Sequence, residues 1–196
     1  MAAERRRSVG HWPAAVQSPA SLGWQLACSN RQRRLTVRQS DIRGLFTAAL
    51  AELKAAEVDL SIAIVNDTEI AQLHARWLDI PGPTDVLSFD LSGTPRLKSP
   101  QSAGLRVVGE IIASGETAVR EATRYHWRAE HELAYYLLHG LLHLCGFDDR
   151  DPGPRQAMRR RERQLMQAIG LPAPPRRTGS GSRGPSGAPL PPRMRH

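Results

Sequence analysis

Asp59-Leu60-Ser61-Ile62-Ala63-Ile64-Val65-Asn66-Asp67 is the stretch on which the fold turns. Leu60, Ile62 and Ile64 alternate with Asp59, Ser61 and Ala63, the period of two that sets one side of a strand against a core. Asn66-Asp67 ends the run, and either side chain can cap a following helix that carries Ile70, Leu73 and Trp77. A strand that runs straight into a capped helix is the building unit of a mixed fold.

The same patterning extends in both directions. Upstream, Leu45, Leu50, Leu53 and Ala56 follow a helical spacing through 41–57. Downstream, Pro81-Gly82-Pro83 forces a loop, and Asp85-Val86-Leu87-Ser88-Phe89 reads as a short buried strand. Residues 92–105, with Gly93, Pro95 and Pro100, read as a loop before a strand at Leu105–Ala113. Helical patterns follow at Glu116–Tyr125, at Ala129–Cys145 and at about 153–169, the last with Met158, Leu165, Met166 and Ile169. These elements predict the α+β class: a single compact domain with a small mixed sheet of about four strands packed with helices. A long helix over 129–145 and the turn after it are expected to carry the functional site.

Charge divides the chain of 196 residues into three regions. Residues 1–40 carry +6 and residues 171–196 carry +5, whereas 41–170 carry −3, so the total of +8 belongs to the ends. Residues 1–35 read as a basic, weakly ordered extension, although Trp24, Leu26 and Ala27 can pack on the domain. Residues 36–170 form the domain, and the Pro, Gly, Ser and Arg content of 171–196 marks a disordered tail. Basic ends suit a polyanion such as RNA as well as plain solvation. Arg159-Arg160-Arg161 and Arg163 form a second basic cluster, readable as a phosphate contact or as a solvated helix face.

Cys28 and Cys145 are too few for a disulfide framework, so reduced thiols and a cytoplasmic protein are expected. Arg5-Arg6-Arg7 is followed by no apolar stretch of signal length, so neither export nor membrane insertion is expected.

Chemistry concentrates in His139-Gly140-Leu141-Leu142-His143, followed by Gly146, Asp148 and Asp149. Residues four apart on a helix stand one above the other, so both imidazoles can face one ion. Gly146 breaks the helix, and the turn can return a third ligand from Asp148 or Asp149. Three protein ligands with an open position is the pattern of a catalytic zinc, and a structural zinc is normally closed by four. Zinc peptidases place a glutamate base directly after the first histidine; Gly140 stands there, which argues against proteolysis. Gly140 also costs a helix up to about 1 kcal/mol relative to alanine, so close approach of a neighbour is expected at that point. Of the remaining polar residues, His131 reads as a surface histidine or a groove-lining one, and Glu132 as a charge at a helix N-terminus.

Pro83-Thr84-Asp85-Val86-Leu87-Ser88-Phe89, Gly109-Glu110-Ile111 and His139-Gly140-Leu141-Leu142-His143-Leu144-Cys145-Gly146-Phe147-Asp148, in that order, closely resemble the YbeY family of bacterial rRNA maturation factors. The resemblance runs over roughly 58–169. It implies a mixed α+β domain with zinc in a groove, acting as a metal-dependent, single-strand-specific endoribonuclease in maturation of the 3′ end of 16S rRNA and in ribosome quality control. It implies rRNA and the small ribosomal subunit or its assembly factors as partners, with no DNA and no membrane. The alternative is a ribosome-assembly factor without catalysis, its metal purely structural.

By the same resemblance the ligands are His139, His143 and the residue after Asp148. The family usually has a third histidine there, and this chain has Asp149. Carboxylate oxygen binds zinc at much the same distance as imidazole nitrogen, and makes manganese or another hard divalent ion more plausible. Asp148 is the candidate catalytic carboxylate, orienting a histidine or assisting proton transfer, with a turn aspartate as its bland reading. A second departure is Leu78, where many members carry an arginine thought to contact RNA; Arg76 lies two positions earlier. Phosphodiester cleavage then has two routes, attack by an activated water or by the neighbouring 2′-hydroxyl.

Overall fold

The computed structural model describes residues 12–13, 23–93 and 104–175. Its elements run β1 (Gln25–Asn30), α1 (Gln39–Glu52), β2 (Ala55–Val65), α2 (Asp67–Leu78), β3 (Val86–Asp90), β4 (Leu105–Ser114), α3 (Gly115–Arg124), α4 (Ala129–Leu144) and α5 (Pro152–Ala168). The four strands form one sheet in the order β1-β2-β4-β3. β1 and β4 pair parallel with β2, and β3 pairs antiparallel with β4. The expected α+β domain with a small mixed sheet is therefore present.

Alternation in β2 does what its sequence pattern requires. Val58, Leu60, Ile62 and Ile64 enter the main core with residues of α1, α4 and α5. Ala63 and Val65, with Leu87 and Ile112, meet Ile70 and Leu73 of α2 in a smaller second core. The sheet is thus covered on both faces, as parallel pairing demands.

Two element boundaries differ from the sequence reading. α1 stops at Glu52 rather than near 57, and Ala55–Val58 belong to β2. Lys54 takes a left-handed φ of 56°, which reverses the chain between the two. The second difference is β1, which falls inside the stretch expected to be weakly ordered. Leu26 is buried there and stands opposite Leu60 in register. Pairing with an existing edge orders so short a run, and its own pattern is too brief to announce it. Trp12 is docked as well: it is buried in the main core, and its indole Nε1 donates to the Glu130 carbonyl at 3.2 Å. Residues 176–196, most of the expected tail, and most of the 92–105 loop lie outside the described residues.

The strand–helix junction is resolved in favour of Asn66. Its side chain accepts from Glu69 N at 2.8 Å and caps α2. Asp67 is then free to accept from Ser114 Oγ and Thr117 Oγ1, at 2.5 and 2.7 Å, and from Arg120 at 2.7 Å. Burial alone would raise its pKa, but these donors outweigh it and hold the carboxyl below its ordinary value. The two strand–helix corners, β2–α2 and β4–α3, are fastened to each other by this one side chain.

Gly140 explains how α4 reaches the sheet. A Cβ there would lie 3.0 Å from Ile111 Cγ2 and 3.1 Å from Val86 Cγ2, so the helix rests directly on β3 and β4. Gly140→Val is accordingly expected to destabilise the protein by about 1–3 kcal/mol through overpacking. Chemical denaturation checks this; a midpoint equal to wild type would show that the neighbours give way at no cost.

Candidate metal centre

α4 ends by a Schellman turn. Gly146, at φ 92°, donates its N–H to the His143 carbonyl, and Phe147 N–H reaches the Leu142 carbonyl, both at 3.0 Å. That turn delivers the Phe147 carbonyl to His143 Nδ1, 3.0 Å away. One turn earlier, His139 Nδ1 lies 2.7 Å from Glu162 Oε1 on α5. A carbonyl and a carboxylate only accept, so each Nδ1 carries a proton and donates it. In the neutral rings both Nε2 atoms are left with bare lone pairs, and these face each other at 3.1 Å.

Asp149 completes the group from the turn. Its Oδ1 lies 3.9 Å from His143 Nε2 and is buried with no hydrogen-bond partner among the described residues. The ligand atoms of His139, His143 and Asp149 all lie within 4.8 Å of one another. Two imidazole lone pairs and an unpartnered carboxylate oxygen converging on one point suit a divalent cation, which supplies the charge they lack. All three residues are half-buried.

Asp148 stands at the rim. Its carboxylate accepts from Asp149 N at 2.8 Å and Arg150 N at 3.2 Å, gripping the turn that presents the third candidate ligand. From the other side, Arg155 donates to the Asp149 and Arg150 carbonyls, each at 2.8 Å. The carboxylate that orients a histidine is Glu162, whose side chain is only 3% exposed and also accepts from Tyr135 Oη at 3.3 Å. Sequence reasoning passed over Glu162. Its signal was present: it is the one acid in 152–168, and it falls on the stripe of Met158, Leu165 and Met166 that α5 buries.

Electrostatics divides the two rings. Burial pulls His139 down, but the Glu162 hydrogen bond and the charges of Glu162, Asp85 and Asp149 outweigh it, so its pKa is raised. Burial and the neighbouring His139 lower that of His143. Protons compete with a metal for these ring nitrogens, His139 holding its proton the more tightly of the two. Metal affinity is expected to fall with falling pH, starting above the ordinary histidine value of 6.5 because the His139 pKa is raised. Metal titration across pH 5–9 checks this; affinity independent of pH would contradict the ligand set.

Other flagged residues sit apart from this group. His131 is half-buried with its ring edge-on to Trp127, and burial lowers its pKa. Glu132 lies in the first turn of α4 as expected, but it is fully buried and accepts from Trp127 Nε1 at 2.6 Å. Leu78 packs against the second core, while Arg76 sits over the exposed ring of Trp77, 5.4 Å from its centroid. Cys28 and Cys145 are in no disulfide, and no described helix is long and apolar enough to cross a membrane.

The family model described as Endoribonuclease YbeY matches residues 27–170, a span that contains every element except the first two residues of β1. The chain belongs to the YbeY family. A Corynebacterium glutamicum Endoribonuclease YbeY is 36% identical over 136 residues, covering 64% of this chain and 69% of that protein. A Moorella thermoacetica relative of the same description is 36% identical over 131 residues, covering 66% of this chain and 84% of the relative. One from Mycolicibacterium smegmatis is 36% identical over 114 residues, and the match spans 62% of that relative's length. The solution structure of a Thermotoga maritima protein superimposes with a TM-score of 0.50 at 19% identity, over 74% of this chain and 89% of that one. That likeness supports the YbeY-type fold and nothing further.

Proposed function

We propose that this YbeY-family protein is a single-strand-specific, metal-dependent endoribonuclease that acts in maturation of the 3′ end of 16S rRNA and in ribosome quality control. The observation that carries the reading is the convergence of His139 Nε2, His143 Nε2 and the unpartnered Asp149 oxygen. Three protein ligands suit a catalytic ion, whereas a structural one is normally closed by four. The family name supplies RNA as the substrate class.

His139, His143 and Asp149 would hold one ion, zinc by the family resemblance, and the Asp149 carboxylate would also accept manganese or another hard divalent ion. Bound there, such an ion lowers the pKa of water and polarises a phosphoryl oxygen. Glu162 and the Phe147 carbonyl fix both imidazoles in the Nδ1–H tautomer, which leaves the Nε2 lone pairs as the ones that would hold an ion. Asp148 and Arg155 fix the backbone of the Asp149 turn. Asp148, half exposed, would exchange a proton with the reacting RNA. The partners are rRNA and the small ribosomal subunit or its assembly factors, in the cytoplasm.

The test is cleavage of single-stranded RNA from the 16S precursor 3′ end by dialysed protein, with zinc or manganese restored and with chelator added. Cleavage that depends on the metal is expected. Retained folding and ribosome binding, with no cleavage under any metal, would favour the assembly-factor reading.

A further inference from the structure

The arginines of α5 have a definite relation to the metal centre. Arg155, Arg159 and Arg163 follow one another at four-residue steps and so form a single row along the helix. The row begins at the site, because Arg155 itself clasps the Asp149 and Arg150 carbonyls. Glu162, adjacent to Arg163, reaches inward to His139. The steps measure about 6 Å at the rise of an α-helix.

Charge along this row is uncompensated. Arg159 and Arg163 are exposed, and among the described residues neither has a carboxylate partner. Arg31, Arg38, Arg106 and Arg120 each have one. Glu162 is the only acid of α5, and it is buried against His139. A solvated helix face normally intersperses both signs, which this one does not.

We propose that the Arg159–Arg163 row is a rail for the RNA backbone, which seats successive phosphates of a single strand along α5 as it leaves the metal centre. Guanidinium groups bind phosphate oxygens bidentately, and an exposed row tracks a backbone without reading bases. The inference rests on the endoribonuclease reading and adds to it the path of the substrate.

The experiment measures binding of a labelled single-stranded 16S precursor 3′-end RNA, in chelator, over a salt series. It compares wild type with Arg159→Ala/Arg163→Ala and Arg159→Lys/Arg163→Lys, and cleavage with restored metal is followed in parallel. Two lost phosphate contacts should flatten the slope of log affinity against log salt by about 1.4, at about 0.7 per contact for single strands. The lysine pair should restore the slope, which a merely structural role would not produce. Cleavage by wild type combined with an unchanged slope in the alanine pair would overturn the rail and leave the nuclease standing. Neither binding nor cleavage by wild type would overturn both.

Discussion

Alanine at His143 is expected to abolish metal-dependent RNA cleavage while the protein stays folded. Loss of a residue behind a ligand typically costs 10–100-fold, so loss of one of three ligands should exceed about 100-fold in turnover. Folding should survive because the polar contacts of the imidazole, which include the Phe147 carbonyl, His139 Nε2 and the Asp149 carboxylate, belong to the site rather than to the apolar packing of the core. Removing it also relieves the crowding of two ring nitrogens at 3.1 Å. Turnover should be compared at matched folded content, judged by near-UV circular dichroism. A variant that keeps a tenth of wild-type turnover would remove His143 from the ligand set.

Glu162 gives the second large effect, and it separates two roles. Glu162→Ala leaves His139 Nδ1 without its acceptor and takes one acceptor from the Tyr135 hydroxyl. An unsatisfied buried donor costs about 1–3 kcal/mol, so this variant should lose stability as well as metal. Glu162→Gln keeps the shape and an acceptor oxygen but removes the charge. It should hold its fold and weaken metal binding by about 10-fold, the lower end for such partners. With the charge gone, the raised pKa of His139 should also fall, moving the onset of proton competition to lower pH. Chelator-competition titrations on both variants read this directly. Wild-type affinity and pH onset in Glu162→Gln would show that the carboxylate only packs.

The sequence told most where one residue type has one use. Alternation in Leu60, Ile62 and Ile64 placed β2, and the paired histidines with Gly146 placed α4, its end and the two imidazoles that face each other. Gly140 was flagged for its cost to a helix, and the contact with Ile111 and Val86 supplies the reason. What escaped depends on partners distant in the chain. β1 is ordered by its pairing with β2 across 34 positions of register, as in Gln25 opposite Asp59. Glu162 is a site residue only because α5 packs against α4, 23 positions away in sequence. Asp148 had two readings, and local sequence could not choose between them; its contacts are with the turn that carries Asp149.

His139, His143 and Asp149 are expected to bind one divalent ion. Metal titration of dialysed wild type beside the His139→Ala/His143→Ala double variant tests this directly. One zinc or manganese ion per wild-type chain, lost in the double variant, is the expected result. Absence of stoichiometric binding in wild type, or equal binding by the double variant, would contradict it.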